Sequence, residues 1–385
     1  MAASQSSLRG TANRTSRSWL GLTAVDLFAG AGGFTLAAQN LGIDVLAAVE
    51  NDPHACDTYR NNLAQDDCPK LYPEDIRSLN PKTLMDDLGL QPGDVGILMG
   101  GPPCQGFSRQ RIKGAGVGDP RNELILRYFD FVRELRPRAF IVENVRGMMW
   151  PRHASYVDRF YRAGEEAGYA VLPHIVLDAK CFGVPQNRQR VFILGFPAGN
   201  PPPLVWPPLA THFVPDSEDV VHTHKPAWRP ASDVFEQPPL GDDANDVHML
   251  HGAELTDVFR HTPKRGGSRH QSGRVLDCHK EHRGHSDVYG RIDPEKPGPT
   301  MTCSCINPSK GRFVHPEEDH GITVRQAARF QTFPDWFVFS GGLMSTGAQV
   351  GNAVPIRLGE AVLDAIAYGL VQCSDEPCVT REAVG

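Results

Sequence analysis

The sequence has no hydrophobic run long enough to cross a membrane. Apolar runs such as Val191 to Phe196 are far shorter than the roughly 20 residues that a membrane-spanning helix needs. Residues 1–20 carry arginines and no acid, but they lack the apolar core of a secretory signal. We expect no membrane contact and a disordered arm over residues 1–20. A mitochondrial transit peptide has a similar composition and stays open as an alternative.

Cysteine is sparse, and an overall excess of positive charge is missing. The 9 cysteines among 385 residues form no CxxC pair. This odd, scattered set fits a reducing compartment better than a disulfide framework, so we expect a cytoplasmic protein. The net charge of -6 does not by itself suggest a nucleic-acid partner.

The bases are nevertheless concentrated in one stretch, between Arg260 and Arg291. Eight bases face three acids there, Asp277, Glu281 and Asp287; the bases are Arg260, Lys264, Arg265, Arg269, Arg274, Lys280, Arg283 and Arg291. The distribution of charge matters more than its sum for binding an anionic polymer. A nucleic-acid partner therefore remains compatible with the composition.

Short β-rich runs alternate with amphipathic segments between Thr23 and Gly195. The strand candidates are Thr23 to Phe28, Val45 to Val49, Val95 to Met99, Ala139 to Val142 and Val191 to Leu194. The helix candidates are Phe34 to Asn40, His54 to Asn62, Glu123 to Leu135 and Tyr156 to Ala167. This βαβ rhythm predicts an α/β fold with a doubly wound, mostly parallel sheet. Ligands are expected at the carboxyl ends of its strands.

The character of the chain changes after Gly195. Proline-rich text comes first, followed by a long polar region rich in glycine and histidine, which predicts a second, smaller, loop-rich domain. Sequence patterns that predict helices return at Val324 to Thr332 and at Pro355 to Leu370. We therefore expect a first domain over 21–199, a loop-rich domain over 200–320, a return to the first domain over 321–372 and a tail over 373–385.

Three features at predicted strand ends suggest a nucleoside ligand. The glycines between Asp26 and Phe34 allow a tight turn and close approach of a ligand to the backbone. Glu50 is placed to accept hydrogen bonds from a ribose diol, and Asp75 to meet an adenine amino group. The glycine spacing is not GxGxxG, which disfavours a dinucleotide, and simple tight packing stays open as an explanation.

Two further features suggest covalent chemistry. Pro102 and Pro103 precede Cys104 and fix the backbone, which favours a positioned thiol over a packed one. Glu143 follows an apolar strand, where it is either a working carboxyl or a capping or salt-bridged acid. The glycines and bases after Cys104 suit a loop that closes over a substrate, although a simple surface loop has the same composition.

These motifs occur together and in order, and they resemble those of the cytosine-5 DNA methyltransferases. The likeness runs from Val25 to Tyr368, excluding the recognition region, and includes further motifs: Gln186-Asn187-Arg188-Gln189-Arg190, Thr323 to Arg329, Gln331-Thr332-Phe333-Pro334 and Gly351-Asn352-Ala353-Val354-Pro355. It implies a Rossmann-like domain that binds S-adenosylmethionine, with a target recognition segment at about 200–290. The last helix should pack back onto the first domain.

The resemblance also implies roles for individual residues. The catalytic positions are Cys104, Glu143, Arg188 and Arg190. The positions that contact the cofactor are Phe28, Ala29, Gly30, Gly32, Glu50, Asn51, Asp75, Ile76, Pro103, Asn352 and Val354. Expected DNA contacts are Gln105, Ser108, Arg109, Arg111, Arg265, Arg269 and Arg274.

The expected reaction is methyl transfer to carbon 5 of cytosine in a specific double-stranded sequence. It requires base flipping and a covalent Cys104 adduct at carbon 6. Arg188 and Arg190 would hold the base's carbonyl oxygen and the adjacent backbone, unless they are only a solvated basic strand start. We expect a monomer that acts on nucleoid DNA without a metal, and a cognate restriction endonuclease stays open as a further partner.

Four alternatives remain at this point. A transfer-RNA cytosine methyltransferase would usually have threonine in place of Ser108 and no long recognition segment. A catalytically dead DNA-binding relative would not need Cys104, Glu143 and Arg188 intact. A nicotinamide oxidoreductase would need neither the Cys104 loop nor Asn352. Zinc binding would use the cysteines and histidines Cys278, His279, His282, His285, Cys303 and Cys305.

Overall fold

The computed structural model describes residues 19–103, 123–199, 201–238, 241–274 and 287–372. Some residues with predicted roles lie outside these ranges: Cys104, Gln105, Ser108, Arg109 and Arg111. Most of the predicted arm and the whole predicted tail also lie outside them. The roles of these residues stay predictions.

Eight strands of the described chain form one sheet. They are β1 Thr23–Leu27, β2 Asp44–Val49, β3 Lys70–Tyr72, β4 Ile97–Gly100, β5 Ala139–Val145, β6 Tyr169–Val171, β7 Ile175–Asp178 and β8 Gln189–Pro197. Their order is β3-β2-β1-β4-β5-β8-β6, and β7 also pairs with β8. The first five strands pair in parallel, whereas β8 is antiparallel to β5, β6 and β7.

The helices of the described chain connect these strands and cover the sheet. They are α1 Gly33–Asn40, α2 Pro53–Asn62, α3 Pro81–Leu88, α4 Glu123–Leu135, α5 Ala154–Glu166, α6 Glu218–Val221, α7 Ser232–Phe235, α8 Ala253–His261, α9 Val324–Phe330, α10 Leu343–Asn352 and α11 Ile356–Gln372. Within the described ranges, no helix is both long and apolar enough to span a bilayer.

Alternate side chains of each central strand belong to different cores, because successive residues of a strand point to opposite faces. On β5, Phe140 and Val142 join the core built with α3, α4 and α5. Ile141 between them joins the other core, built with α1 and α11. Both faces of the sheet are therefore covered, which confirms the predicted α/β architecture.

The return of the chain to the first domain is made by α11, which packs against α1. A methyl group added at Gly359 would lie 2.8 Å from Cβ of Ala37, so the two helices approach closely. The Trp19 indole donates a hydrogen bond of 2.8 Å to Asp364, and Arg138 donates to the carbonyl of Leu370. The last helix thus lies where the sequence predicted it.

The described parts of 201–320 are loop-rich, with the short helices α6, α7 and α8. Arg291 organises this region, because its fully buried guanidinium donates to the carbonyls of Phe259, Thr262, His315 and Glu318 and pairs with Asp319. The region is also joined to α9, where Arg325 forms an ion pair with Asp243. The boundary at 320/321 stays a prediction.

Candidate active site

The turn after β1 is built from three residues in the left-handed region of backbone space. Phe28 has φ 59°, Gly30 has φ 56° and Gly32 has φ 92°. Such a conformation is strained for a bulky residue and is retained mainly where the surroundings or the function require it. At Gly32 an added methyl group would lie 2.1 Å from Leu63 Cδ1, so the position also lacks room for a side chain.

Glu50 holds this turn next to the end of β2. Its Oε2 accepts a hydrogen bond of 2.8 Å from the Gly30 amide, and its Oε1 accepts from the amides of Asn51 and Asp52. A carboxylate has about four acceptor positions. One position therefore remains for a donor on a ligand.

A cavity of about 420 Å³ opens between this turn, the end of β4 and the residues around Asn352. Eight of the eleven predicted cofactor residues line it: Phe28, Ala29, Gly30, Glu50, Asn51, Pro103, Asn352 and Val354. An aromatic ring, a carboxylate and exposed amides are the groups that a nucleoside-containing ligand needs. Gly32, Asp75 and Ile76 are not among the lining residues.

Asp75 and Ile76 lie outside the lining of the cavity, and their predicted contact with the cofactor stays a prediction. Both carboxylate oxygens of Asp75 accept hydrogen bonds from the Arg77 guanidinium, and these bonds lower the pKa of Asp75. Ile76 is buried in the core beside α3 and α4. The neighbouring arginine binds the acid that was expected to meet adenine.

Glu143 lies near the end of β5 with its carboxyl in the wall of the cavity. Its Oε1 is 2.9 Å from Nε of Arg190, which lies on the adjacent strand β8. A methyl group added at Gly101 would lie 3.5 Å from the second oxygen, Oε2. Burial raises the pKa of Glu143 above its ordinary value, and the charges of Arg190 and Arg188 oppose that rise. Burial of a carboxyl favours its protonated form over its ionised form.

Arg188 also lines the cavity, but its guanidinium is bonded to the main chain. Nη1 donates to the carbonyl of Met301 at 2.6 Å, and Nη2 donates to those of Gly351 and Ala353 at 2.9 Å. The side chain is only 1% exposed. Arg188 therefore positions backbone around the site, and Arg190 is the better placed of the two arginines to contact a base beside Glu143.

Two residues at this site were not found by sequence reasoning. Asn144 donates a hydrogen bond of 3.2 Å to the carbonyl of Pro102, which connects β5 to the segment that leads to Cys104. Asp26 accepts from Thr35 at 2.8 Å, and burial raises its pKa to about 7. Both lie next to residues that the motifs did identify, yet their partners could not be read from spacing.

A second and wider cleft, of about 970 Å³, adjoins the first cavity. The two share Val145, Arg190, Gly351 and Asn352 in their walls. Arg146, Lys180, Thr300, Thr302 and Cys303 also line the wider cleft. A large group held in the cleft therefore has a direct path to Glu143.

Comparison with known proteins assigns the family. A family model for C-5 cytosine-specific DNA methylases matches residues 22–368, which is most of the chain. The chain belongs to this family. It is therefore a DNA cytosine-5 methyltransferase, as the resemblance of its motifs predicted.

Relatives of the methyltransferase are similar over nearly their whole length. Type II methyltransferase M1.HphI of Haemophilus parahaemolyticus is 31% identical, over 90% of this chain and 87% of that protein. Type II methylase M.HgiDII of Herpetosiphon aurantiacus is 31% identical, over 89% of this chain and 94% of that protein. These similarities support a prokaryotic enzyme of the restriction-modification type.

Solved structures support the fold. A candidate DNA modification methyltransferase encoded within a prophage of E. coli has a TM-score of 0.62 and 26% identity, over 91% of this chain and 99% of that chain. The Dnmt2 methyltransferase of S. pombe has a TM-score of 0.55 and 16% identity, over 92% of this chain and 100% of that chain. The second likeness concerns the fold alone.

The three recognition-region arginines predicted to contact DNA lie outside the lining of the methyltransferase's cleft. Arg265 is exposed and pairs with Glu295 and Glu317, and Arg274 pairs with Asp257 at 2.8 Å. Arg269 is only 7% exposed. A buried guanidinium reaches a phosphate only after rearrangement, and the predicted DNA contact of Arg269 stays a prediction.

The proposed zinc ligands of the methyltransferase can be assessed only in part. Cys278, His279, His282 and His285 lie outside the described residues. Of the other two, Cys303 is exposed and Cys305 is buried. Among the residues that the structure covers, no group of three or more potential ligands is arranged to hold a metal ion.

Proposed function

We propose that this methyltransferase transfers a methyl group from S-adenosylmethionine to carbon 5 of a flipped cytosine in a specific double-stranded DNA sequence. The observation that carries the proposal is the position of Glu143. Its carboxyl is buried, its pKa is raised, and it lines a nucleoside-sized cavity beside Arg190, which lines both this cavity and the wider cleft. One cavity would hold the methyl donor beside the target base, and the cleft would hold the duplex.

The residues of the cavity fit S-adenosylmethionine. Phe28 offers an aromatic face for adenine, and the remaining acceptor position of Glu50 suits a ribose hydroxyl. Asn51, Asn352 and Val354 line the rest of the cavity. When bound, the cofactor supplies an electrophilic methyl group.

Carbon 5 of cytosine is a poor nucleophile, so the enzyme must enrich it with electrons. The Cys104 thiolate would add to carbon 6, and the electron pair of the 5,6 double bond would move toward carbon 5. After methylation, a base removes the carbon 5 proton, the double bond re-forms and the thiolate leaves. Cys104 follows directly on Pro103, whose place in the cavity wall supports this role.

Glu143 would assist the addition at ring N3. A protonated carboxyl can donate to N3 and accept the negative charge that the thiolate pushes into the ring. Burial favours the protonated form. Arg190, held 2.9 Å from Oε1, keeps the carboxyl oriented and can donate to the neighbouring carbonyl oxygen of the base.

The position of the site supports base flipping as part of the proposal. Because Glu143 is 8% exposed, it cannot reach N3 of a base that remains stacked in a duplex. Flipping a base costs a few kcal/mol of free energy, and contacts between the base and its pocket offset a cost of that order. Arg146 and Lys180 at the border of the cleft can contact the phosphates on either side of the target.

The biological setting is part of the proposal. Type II relatives suggest that the enzyme protects DNA from a cognate restriction endonuclease. We further propose a monomer that works on nucleoid DNA in the cytoplasm. The predicted division into a catalytic domain over 21–199 and 321–372 and a recognition domain over 200–320 belongs to the same proposal.

Bisulfite sequencing tests this function directly. DNA from cells that express the enzyme should contain protected cytosines within one short sequence, and DNA from cells that express the Cys104→Ser variant should contain none. Protection spread over unrelated sequences would contradict sequence-specific methylation. Protection confined to transfer RNA would move the substrate to RNA.

A further inference from the structure

Three buried polar side chains lie between the cofactor cavity and the DNA cleft and contact the walls of both. Gln186, Arg188 and Gln331 are 0%, 1% and 0% exposed. Gln186 and Arg188 come from one motif and Gln331 from another, and the reaction as derived above uses neither glutamine. We call these three residues the polar cluster.

The polar cluster is bonded to the cofactor side of the site. Gln331 Nε2 donates to the carbonyls of Val350 at 2.6 Å and Ala353 at 2.9 Å. Arg188 adds bonds to the carbonyls of Gly351 and Ala353. These carbonyls flank Asn352, a residue that lines the cofactor cavity.

The same cluster is bonded to the cleft side. Gln186 Oε1 accepts from the Met301 amide at 3.0 Å, and Arg188 donates to the Met301 carbonyl at 2.6 Å. Met301 lies between Thr300 and Thr302, which line the cleft. Gln186 also donates to Gln331 Oε1 at 2.7 Å, so the two sides are directly joined.

Backbone packing supports the same connection independently. A methyl group added at Gly351 would lie 2.1 Å from both the carbonyl carbon and the oxygen of Thr302. Gly351 itself lines both cavities. The chain beside Asn352 therefore contacts the chain at the edge of the cleft with no side chain between them.

We propose that Gln186, Arg188 and Gln331 are positioning residues that couple occupancy of the cofactor cavity to DNA binding in the cleft. A buried polar group that loses its hydrogen-bond partner destabilises the protein. If residues 350–353 shift when the cofactor binds, the polar cluster should therefore shift with them and move Met301. The coupling is reciprocal, since each ligand changes the affinity of the other by the same factor.

The test is a thermodynamic cycle on the full-length protein, and it rests on the proposed function. S-adenosylhomocysteine and a duplex with the sequence found by bisulfite sequencing are titrated separately and together. In the wild type, S-adenosylhomocysteine should tighten DNA binding by a factor in the usual range of about 5–150. Gln331→Met keeps a similar volume but removes the amide, and should bring that factor close to one.

Asn62→Leu is the matched control. Asn62 is also a buried amide, bonded to the carbonyls of Thr58 and Val338 and to the Val338 amide, but it lines neither cavity. This variant should be destabilised and should keep the wild-type coupling factor. A full coupling factor in Gln331→Met, or an equal loss in Asn62→Leu, would overturn the inference.

A second measurement needs no variant. Hydrogen exchange in the wild type should slow by about fivefold or more at 300–303 when S-adenosylhomocysteine binds without DNA, by the same coupling. Unchanged exchange there, with protection only around the cofactor cavity, would contradict the coupling while leaving the proposed function intact. If S-adenosylhomocysteine does not bind at all, the proposed cofactor itself is wrong.

Discussion

Glu143 illustrates how one side chain acquires a function from its surroundings. The residue type is acidic, but burial opposes its ionised form and Arg190 fixes one of its oxygens. From the sequence alone, a working carboxyl and a salt-bridged acid were equally acceptable explanations. The structure shows the ion pair with Arg190, and the working role of the carboxyl is part of our proposal.

Replacing Glu143 by glutamine should lower the methylation rate about 100-fold or more, the usual scale for loss of general acid catalysis. The raised pKa means that the protonated form persists to higher pH than in a free glutamate. Wild-type activity should therefore decline as pH rises through that pKa, and the variant should lose this decline. The measurement is a pH profile of kcat for both proteins, and equal profiles would contradict the role.

Glu50→Ala should weaken S-adenosylmethionine binding roughly 10- to 100-fold, because hydrogen bonds to charged groups contribute about 1.5–3 kcal/mol each. The exposed acid Asp57 on α2 pairs only with Arg60 among the contacts described, so Asp57→Ala is the control. Titration calorimetry measures both affinities. An unchanged affinity in Glu50→Ala would remove this residue from the cofactor site.

At the scale of elements, the turn between β1 and α1 combines two constraints in one glycine. Gly32 requires a left-handed backbone and also has no space for a methyl group beside Leu63. Gly89, at the end of α3, shares the first constraint with φ 65° but has nothing within 4 Å. The two positions therefore separate backbone strain from crowding.

Gly89→Ala should lower the free energy of unfolding by about 1–2 kcal/mol, the cost of a left-handed residue. Gly32→Ala should lower it by about 2–5 kcal/mol, because overpacking adds about 1–3 kcal/mol. Urea unfolding followed by circular dichroism measures the difference. Equal losses of unfolding free energy in the two variants would show that the Leu63 side chain moves aside at no cost in free energy.

The sequence predicts those strands and helices whose buried residues form an apolar run or a periodic apolar pattern. The strands β1, β2, β4 and β5 are apolar runs, and the amphipathic α4 and α5 are periodic. The strands β6 and β7 have three and four residues, too few to show a period. The antiparallel direction of β8 could not be predicted either, because a strand buried on both faces has the same apolar sequence pattern whether it pairs in parallel or antiparallel.

The residues of the site were predictable within contiguous motifs, but the hydrogen-bond partners of their side chains were not. Phe28, Glu50 and Asn352 line the cavity as expected. Asp75 does not, because its orientation depends on Arg77, two residues away. The bonds from Arg188 to residues more than 100 positions away arise only from the tertiary fold.

At the scale of the whole molecule, an acidic protein must bind a polyanion. The net charge of -6 works against association, so the local bases must supply the attraction. Arg146 and Lys180 line the cleft, where Lys180 also pairs with Asp178 at 3.6 Å, and Arg265 and Arg274 are engaged with acids of the recognition region. The cleft is therefore where we expect the main phosphate contacts.

Affinity for DNA should fall steeply with salt, and replacing Arg146 and Lys180 by glutamine should reduce the slope of log affinity against log salt by about 2. Lys82→Gln with Arg60→Gln, two exposed bases outside the cleft lining, is the control and should leave the slope unchanged. An unchanged slope in the cleft variant would place the DNA elsewhere. The double variant of Arg265 and Arg274 tests the predicted recognition-region contacts by the same titration.

The central claim is a covalent bond between Cys104 and carbon 6 of the target cytosine, and one gel measures it. With fluorine at carbon 5, the final elimination is blocked, since fluorine does not leave as a cation, and protein and DNA should stay joined. The wild type should shift to a DNA-linked band on a denaturing gel only when S-adenosylmethionine and fluorinated duplex are both present. Cys104→Ser should give no band and no turnover, and a full-strength band from that variant would contradict the account.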